Sequence, residues 1–210
     1  DAMSSGIPII AIDTGVSGAE VTSFVATDNY AVAKVQGAVA ATLVNDGDTV
    51  IYVTGNQAQS TGQERRNGFM EAFSAARPGS KILEVPTEWN SQQAQEGVEA
   101  VLNSNSDVKM VVNAWDGGTM GAKAALENLG YGAGDVKLVG FDGASDAIAA
   151  MDEGWVHADT AQMLYQMGYQ GIKAAAAAAR GETVSSRIDT GFFLVTPSTS
   201  GVYKKMVGIN

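Results

Sequence analysis

Carboxylates, amides and indoles stand where several apolar segments of this sequence end. They are Asp13, Trp89, Trp115, Asp142 and Gln162. Carboxylates and amides form paired hydrogen bonds with adjacent hydroxyls, and flat indole rings cover the apolar C–H face of a sugar ring. Few lysines or arginines accompany these residues, which disfavours a phosphate or carboxylate ligand. The residue types therefore indicate a site for a neutral, polyhydroxylated ligand.

Asp142 lies in the stretch VKLVGFDGASDAI, residues 136–148, where a strand-like run meets the start of a helix. Its carboxylate could satisfy free backbone N–H groups of that helix as a cap. It could equally face a ligand at the end of the strand. We expect Asp142 to do both.

The sequence excludes several kinds of catalytic site. It has no cysteine and a single histidine, His157, so thiol chemistry, multi-histidine metal sites and most catalytic triads are excluded. The loop at 55–63 lacks both phosphate-loop patterns, and the G-x-S-x-G pattern is absent. Asp13, Asp116 and Asp142 could still form a carboxylate pair for glycoside hydrolysis. An enzyme is nevertheless the least favoured class, and we expect no cofactor and no metal.

The composition is that of a globular protein with an acidic surface. The chain has 210 residues, 45% of them hydrophobic, with 13 basic against 23 acidic residues and a formal net charge of −10. No apolar run approaches the ~18–20 residues of a membrane helix. The charge balance disfavours a nucleic-acid partner and docking to an anionic membrane.

Strand-like and helix-like segments alternate along the chain. Strands are predicted at 7–13, 22–28, 49–55, 81–89, 108–116, 136–143, 155–162 and 191–197. Helices are predicted at 30–44, 61–76, 92–102, 119–129, 146–151 and 164–179. This alternation predicts an α/β fold with parallel sheets covered by helices. In such sheets the ligand crevice lies at the carboxyl ends of the strands, where the polar and indole residues stand.

Four other residues favour structural roles. Arg65 and Arg66 begin a predicted helix and are interpreted as surface or lobe-stabilising charges. Trp155 begins a strand, which favours packing, and His157 is interpreted as an ordinary strand residue.

The sequence resembles the periplasmic sugar-binding proteins of ABC importers, ribose-binding type. The resemblance rests on GIPIIAID, VATDNYAVAKVQG, MVVNAWDGGTMGAKAALENLG and VKLVGFDGASDAIAAMDEGWVHADTAQ, followed by the tail GETVSSRIDTGFFLVTP. It implies a two-lobed periplasmic-binding-protein fold with parallel sheets, the second lobe complete and the first partial. Family members have further residues before GIPIIAID, so we expect this chain to be a fragment that is open to self-association.

The resemblance also implies lobe boundaries and ligand contacts. Residues 1–27 would form a partial first lobe, 28–162 the second lobe, 163–191 the return to the first lobe, and 192–210 a tail packing on the second. The implied ligand contacts are Asp13, Thr14, Thr27, Gln63, Trp89, Trp115, Asp116, Phe141, Asp142 and Gln162. Thr14 and Gln63 replace arginines of the ribose pattern, and Trp115 replaces an asparagine. These departures favour another pentose, a hexose or a polyol.

Two functions remain open at this stage. The first is the solute-binding subunit of an ABC importer, which binds a sugar or polyol between its lobes, is recognised by a membrane permease and performs no reaction. Its location would be periplasmic or extracytoplasmic, with a lipid anchor in a Gram-positive organism. The second is the effector-binding core of a lactose-repressor-type transcription regulator, which an N-terminal helix-turn-helix would distinguish. The acidic charge and the form of the tail favour the importer.

Overall fold

The computed structural model describes residues 2–209 and contains nine strands within that range. They are β1 (Ile10–Ile12), β2 (Ser23–Ala26), β3 (Thr49–Val53), β4 (Lys81–Val85), β5 (Val108–Asn113), β6 (Lys137–Asp142), β7 (Val156–Gln162), β8 (Arg187–Asp189) and β9 (Phe192–Val195). The smaller sheet has the order β1-β2-β8, with all strands parallel. The larger sheet has the order β4-β3-β5-β6-β7-β9, parallel except for β9. The predicted α/β fold with parallel sheets is confirmed.

Seven α-helices connect and cover these strands in the described part of the chain, after a short 3-10 helix at Met3–Ser5. They are α1 (Asn29–Leu43), α2 (Ser60–Ala76), α3 (Ser91–Ser104), α4 (Asp116–Asn128), α5 (Ser145–Asp152), α6 (Leu164–Ala179) and α7 (Ser200–Val207). Helix α1 begins where the Asp28 carboxylate accepts from the Ala31 N–H, and α3 begins where Asn90 caps in the same way. None of these helices has the length and apolarity needed to cross a membrane.

The larger sheet holds most of the hydrophobic core. All five residues of β3 are buried, as expected for a strand covered by helices on both faces. Helices α1 and α2 pack together, and α3 packs on α4. Tyr52 of β3 stacks on Phe69 of α2, which stacks in turn on Phe73. This packing fixes α2, and with it the residues that α2 brings to the carboxyl end of the sheet.

The smaller sheet has a smaller core, built around Val25 of β2. Met167 and Ala174 of α6 pack against it. The opposite face of α6 exposes the apolar side chains of Tyr165, Tyr169 and Ile172, and Leu164 is exposed at the start of the helix. The helix therefore has two apolar faces, of which one is covered within the described residues.

Three connections join the two sheets: β2 to α1, β7 to α6, and β8 to β9. Asp189 Oδ1 accepts hydrogen bonds from the backbone N–H groups of Asp28 (3.2 Å) and Gly191 (3.0 Å). Arg187 Nη2 donates to the carbonyl of Thr27 at 3.0 Å. These bonds tie two of the connections together.

Several observed elements differ from the predicted ones. Strand β8 and helix α7 were not predicted, and α4 begins at Asp116 rather than at Thr119. The strands predicted at 81–89 and 108–116 end earlier, at Val85 and Asn113. Gly117 and Gly118, which have low helix propensity, explain the late predicted start of α4.

Candidate functional site

A cavity of about 320 Å³ lies at the carboxyl ends of strands from both sheets. Its lining residues are Asp13, Thr14, Gln59, Thr61, Arg65, Trp89, Trp115, Asp142 and Gln162. Parallel strands bring their carboxyl ends to one edge, which is the usual place for a ligand crevice in open α/β sheets. The volume is near the lower end of the roughly 300–1,000 Å³ typical of small-molecule sites. The cavity is therefore large enough for a small solute.

The Asp142 carboxylate is held at one wall of this cavity. Its Oδ1 accepts hydrogen bonds from Arg65 Nη1 at 2.9 Å and from Gln162 Nε2 at 2.8 Å. Burial raises the pKa of Asp142, and the two donors partly offset that rise. The side chain is 27% exposed, and no described residue donates to its Oδ2. This oxygen is available to accept a hydrogen bond from a ligand.

Arg65 is buried beside Asp142, with 3% of its surface exposed. Its Nε donates to Asn29 Oδ1 at 2.9 Å, and Nη1 also donates to the Ala114 carbonyl at 2.7 Å. The guanidinium lies 3.9 Å from the centroid of the Phe141 ring. Of the two roles predicted for Arg65, a surface charge is wrong, because α2 directs this arginine toward the sheet edge and leaves Arg66 partly exposed. Its hydrogen bonds agree with the stabilising alternative.

Two indoles form a corner of the cavity. The rings of Trp89 and Trp115 lie 5.3 Å apart between centroids and perpendicular to each other. Trp89 Nε1 donates to Gln59 Oε1 at 2.6 Å, which orients the Trp89 ring. The same ring covers Gly55 so closely that a Cβ on that residue would collide with it. The corner presents apolar ring faces and edges next to the carboxylates.

Asp13 comes from the smaller sheet, directly after β1, and adopts a left-handed backbone conformation with φ 71°. Its Oδ2 accepts from Thr14 Oγ1 at 3.0 Å, and no described residue donates to its Oδ1. Thr61 Oγ1, from α2, donates to Thr14 Oγ1 at 3.3 Å. This last bond joins the smaller sheet to the helices of the larger one across the cavity.

Below Asp142 lies a second carboxylate, Asp116, which is 2% exposed. Its Oδ2 accepts from the Ala144 N–H at 2.7 Å, and burial raises its pKa well above the usual value, with Asp159 adding to the rise. The expectation that Asp142 caps the following helix is wrong. Ala144 is the N-cap residue of α5 and makes no side-chain cap bond, and its N–H is satisfied by Asp116 instead.

The structure brings six of the ten predicted contact residues to the cavity: Asp13, Thr14, Trp89, Trp115, Asp142 and Gln162. The other four lie elsewhere. Thr27 is fully buried at the connection after β2, and Phe141 is buried under Arg65. Asp116 lies below the cavity, and Gln63 is exposed and donates to the Gln57 carbonyl at 2.8 Å.

Sequence reasoning missed three lining residues: Gln59, Thr61 and Arg65. All three belong to the start of α2 rather than to the end of a strand. Gln59 and Thr61 lie in the loop at 55–63, directly after the strand predicted at 49–55, and the polar side chains of this loop are the signal that could have found them. Within residues 2–209 no cluster of three or more His, Cys, Asp or Glu side chains is arranged to hold a metal ion.

Comparison with known proteins gives a consistent set of similarities. Residues 1–183 match the family described as periplasmic binding protein domain. The chain is 30% identical over 194 residues to the ribose import binding protein of Escherichia coli, covering 92% of this chain and 64% of that protein. It is 31% identical over 180 residues to the D-allose-binding periplasmic protein of the same organism, covering 82% and 58% respectively. The chain thus spans less than two thirds of the length of these curated relatives.

Two solved structures show the same fold. A solute binding protein from Bacillus halodurans with bound myo-inositol has a TM-score of 0.90 and 26% identity, and the match covers 97% of this chain and 71% of that one. An ABC transporter solute binding protein from Mycobacterium smegmatis with bound glycerol has a TM-score of 0.87 and 30% identity, covering 96% and 69%.

Proposed function

Because this chain belongs to the periplasmic binding protein domain family, we propose that it is the solute-binding subunit of an ABC importer and binds a sugar or polyol in the cleft. Relatives named for ribose import and D-allose binding, and solved structures holding myo-inositol and glycerol, support this ligand class. The protein then acts outside the cytoplasm, presents its solute to a membrane permease, and performs no reaction on it.

One observation carries the proposal most directly. Asp13 and Asp142 come from different sheets, and each has a carboxylate oxygen without a donor among the described residues at a shared cavity. Two such oxygens can accept hydrogen bonds from several ligand hydroxyls. The perpendicular indoles of Trp89 and Trp115 offer apolar surface to ring C–H groups. Hydroxyls together with an apolar ring face are the chemistry of a sugar or cyclic polyol.

The charges of the cleft favour a neutral ligand. Arg65 is the cation among the lining residues, and its donors are already directed to Asp142, Asn29 and the Ala114 carbonyl. An anionic ligand would meet two carboxylates and would have to compete for that guanidinium. Thr14 and Trp115 stand where the ribose pattern has other residues, so the preferred ligand is a pentose other than ribose, a hexose or a polyol.

We assign the two sheets to two lobes that close on the ligand. Residues 1–27 and 163–191 form the first lobe, and 28–162 and 192–210 form the second. The three connections between the sheets, two of which are tied by Asp189 and Arg187, would act as the hinge. Thr27 belongs to this hinge. Phe141 packs against the Arg65 guanidinium, and Asp116 accepts a hydrogen bond from the Ala144 N–H. In this assignment Gln63 contacts the ligand only on closure.

Calorimetry on the purified chain tests the function. The ligands are D-ribose, D-arabinose, D-allose, myo-inositol and glycerol, and we expect saturable binding of at least one. Asp13→Asn should weaken that binding about ten- to hundredfold, the value of a hydrogen bond to a charged group. Asparagine tolerates the left-handed backbone of Asp13, so the substitution removes the charge and keeps the turn.

Asp135→Asn is the matched control, because Asp135 accepts from the Gly132 N–H in an exposed turn before β6, outside the cavity lining. It should leave the affinity unchanged. Absence of binding to the whole panel, or equal affinities of the Asp13→Asn variant and the unsubstituted chain, would contradict the proposal.

A further inference from the structure

Two carboxyl groups, Asp116 and Asp159, lie side by side beneath the cleft and outside its lining. Asp116 begins α4 and is 2% exposed, and Asp159 lies in β7 and is fully buried. Asp116 Oδ1 and Asp159 Oδ2 converge on the same point beside Gly140, where a Cβ would collide with both. These oxygens lie 2.5 Å (Asp116) and 2.4 Å (Asp159) from that point, so the two carboxyl groups are close neighbours. Neither contacts the ligand in the proposed function.

The donors of this pair all meet Asp116: its Oδ1 accepts from Thr119 Oγ1 at 3.3 Å and its Oδ2 from the Ala144 N–H at 2.7 Å. Within residues 2–209, no donor meets either oxygen of Asp159 in hydrogen-bonding geometry, although the nearby Gly143 amide lowers its pKa. Two adjacent negative charges at a buried site are unfavourable because each is desolvated and repels the other. A proton on one of them removes the repulsion and supplies the missing donor.

The surrounding charges relieve the repulsion only in part, since Arg65 lowers the pKa of Asp159 less than burial raises it. Asp142 of β6 adds a third carboxylate, and Arg65 of α2 is the cation that faces the group, already bonded to Asp142. Tyr203 of α7 donates its hydroxyl to the Gly143 carbonyl at 2.9 Å. From α1 the neutral Gln36 faces this region, and its amide donates to the carbonyls of Asn113 and Gly140.

We propose that Asp116 and Asp159 share one proton at neutral pH and that this protonated pair positions the Asp142–Ala144 turn of the binding site. The shared proton forms an O–H···O bond between the two carboxyl groups. Asp116 is then free to accept from the Ala144 N–H through Oδ2, two residues from Asp142. Asp142 holds a strained backbone with φ 116°, so its carboxylate needs such support to keep its direction.

The shared proton makes stability depend on pH with a defined sign. The unfolded chain releases this proton near the ordinary pKa of aspartic acid, about 3.9. The folded chain keeps it to higher pH, because burial raises the pKa of Asp159 to about 7 and that of Asp116 well above its usual value. Between these limits the folded state binds more protons than the unfolded state. Stability therefore falls as the pH rises through this window.

Urea unfolding of the unsubstituted chain and of Asp159→Asn, from about pH 4.5 to about pH 8, tests the proposal. Asparagine offers an N–H to Asp116 at every pH. We expect the unfolding constant of the unsubstituted chain to rise relative to that of the variant, by up to about tenfold per pH unit. Asp107→Asn is the control, because hydrogen bonding lowers the pKa of Asp107, so its contribution to stability changes only below about pH 4 and the substitution should leave the slope in this window unchanged.

Infrared spectroscopy of the folded chain at pH 7 detects the proton itself. A carbonyl stretching band of a protonated carboxylic acid should be present in the unsubstituted chain and absent from Asp159→Asn, or from Asp116→Asn if the first variant does not fold. Parallel stability profiles of the chain and the variant, or no such band at pH 7, would overturn the proposal. Neither measurement uses a ligand, so failure of the shared-proton proposal can be distinguished from failure of the proposed function.

Discussion

Replacing Arg65 by methionine removes the one buried guanidinium that faces the cleft carboxylates and keeps much of its apolar volume. The substitution deletes the bonds to Asp142, Asn29 and the Ala114 carbonyl. Asp142 is left with Gln162 as its donor. Breaking a buried ion pair by removing one partner costs about 3–5 kcal/mol, because an uncompensated charge stays behind. We expect a loss of stability in the lower part of this range, since Asp142 is partly exposed.

Urea unfolding at pH 7 and at pH 5 measures this loss. Without Arg65, the pKa of Asp142 rises further above its ordinary value, since burial raises it and Arg65 is the largest opposing influence. More of the carboxyl is then neutral at pH 5, so the penalty of Arg65→Met should be smaller at pH 5 than at pH 7. A double variant with Asp142→Asn should recover part of the loss, because no buried charge remains.

Arg66 provides the matched control on the next position of the same helix. Its side chain is 36% exposed and forms two hydrogen bonds to Glu84, at 2.5 and 2.6 Å. Exposed pairs are worth about 0–1 kcal/mol. Equal losses for Arg65→Met and Arg66→Met, or a penalty that is the same at both pH values, would refute the reasoning.

Two further predictions concern the indole corner. Gly55→Ala should displace Trp89 and destabilise the fold by about 1–3 kcal/mol in urea unfolding, because a Cβ at position 55 would collide with the indole. The control is Gly168→Ala, at an open helical position, which should be neutral or stabilising. Equal effects of the two substitutions would contradict the close contact. Trp155 lies outside the cavity lining, so in Trp155→Phe the remaining indole fluorescence should change when the tightest ligand of the panel is added. An unchanged spectrum at saturation would exclude a ligand contact at this corner.

The helices and strands of the larger sheet could be anticipated where the apolar runs were long. The runs ending at Asn113 and Asp142 are nearly continuous, as expected for strands buried on both faces. Strand β8 has three residues with two exposed positions, and its partner β2 lies about 160 residues earlier. Neither local pattern nor length indicates such a strand. The strand forms only because the folded chain brings it beside β2.

The site was predictable to the extent that its residues end strands. Asp13, Trp115 and Asp142 were found in this way. Arg65 could not be found, because it stands next to Arg66 on a helix and the two face directions about 100° apart. Which of them turns inward depends on how α2 packs through Phe69 and Phe73, and a single sequence does not contain that information directly.

The carboxyl pair could not be predicted from the sequence, but Gly140 is a sign of it there. A glycine in the middle of a buried strand has a cost, and it usually marks a close approach of other groups. Gly140 of β6 pairs in register with Asp159 of β7, and its missing side chain leaves the space that Asp159 and Asp116 occupy. The two aspartates are separated by most of α4, β6 and α5, so only the pairing of β6 with β7 brings them together. The glycine is therefore explained by the acids beside it, and any side chain at position 140 must break the pair that supports the cleft.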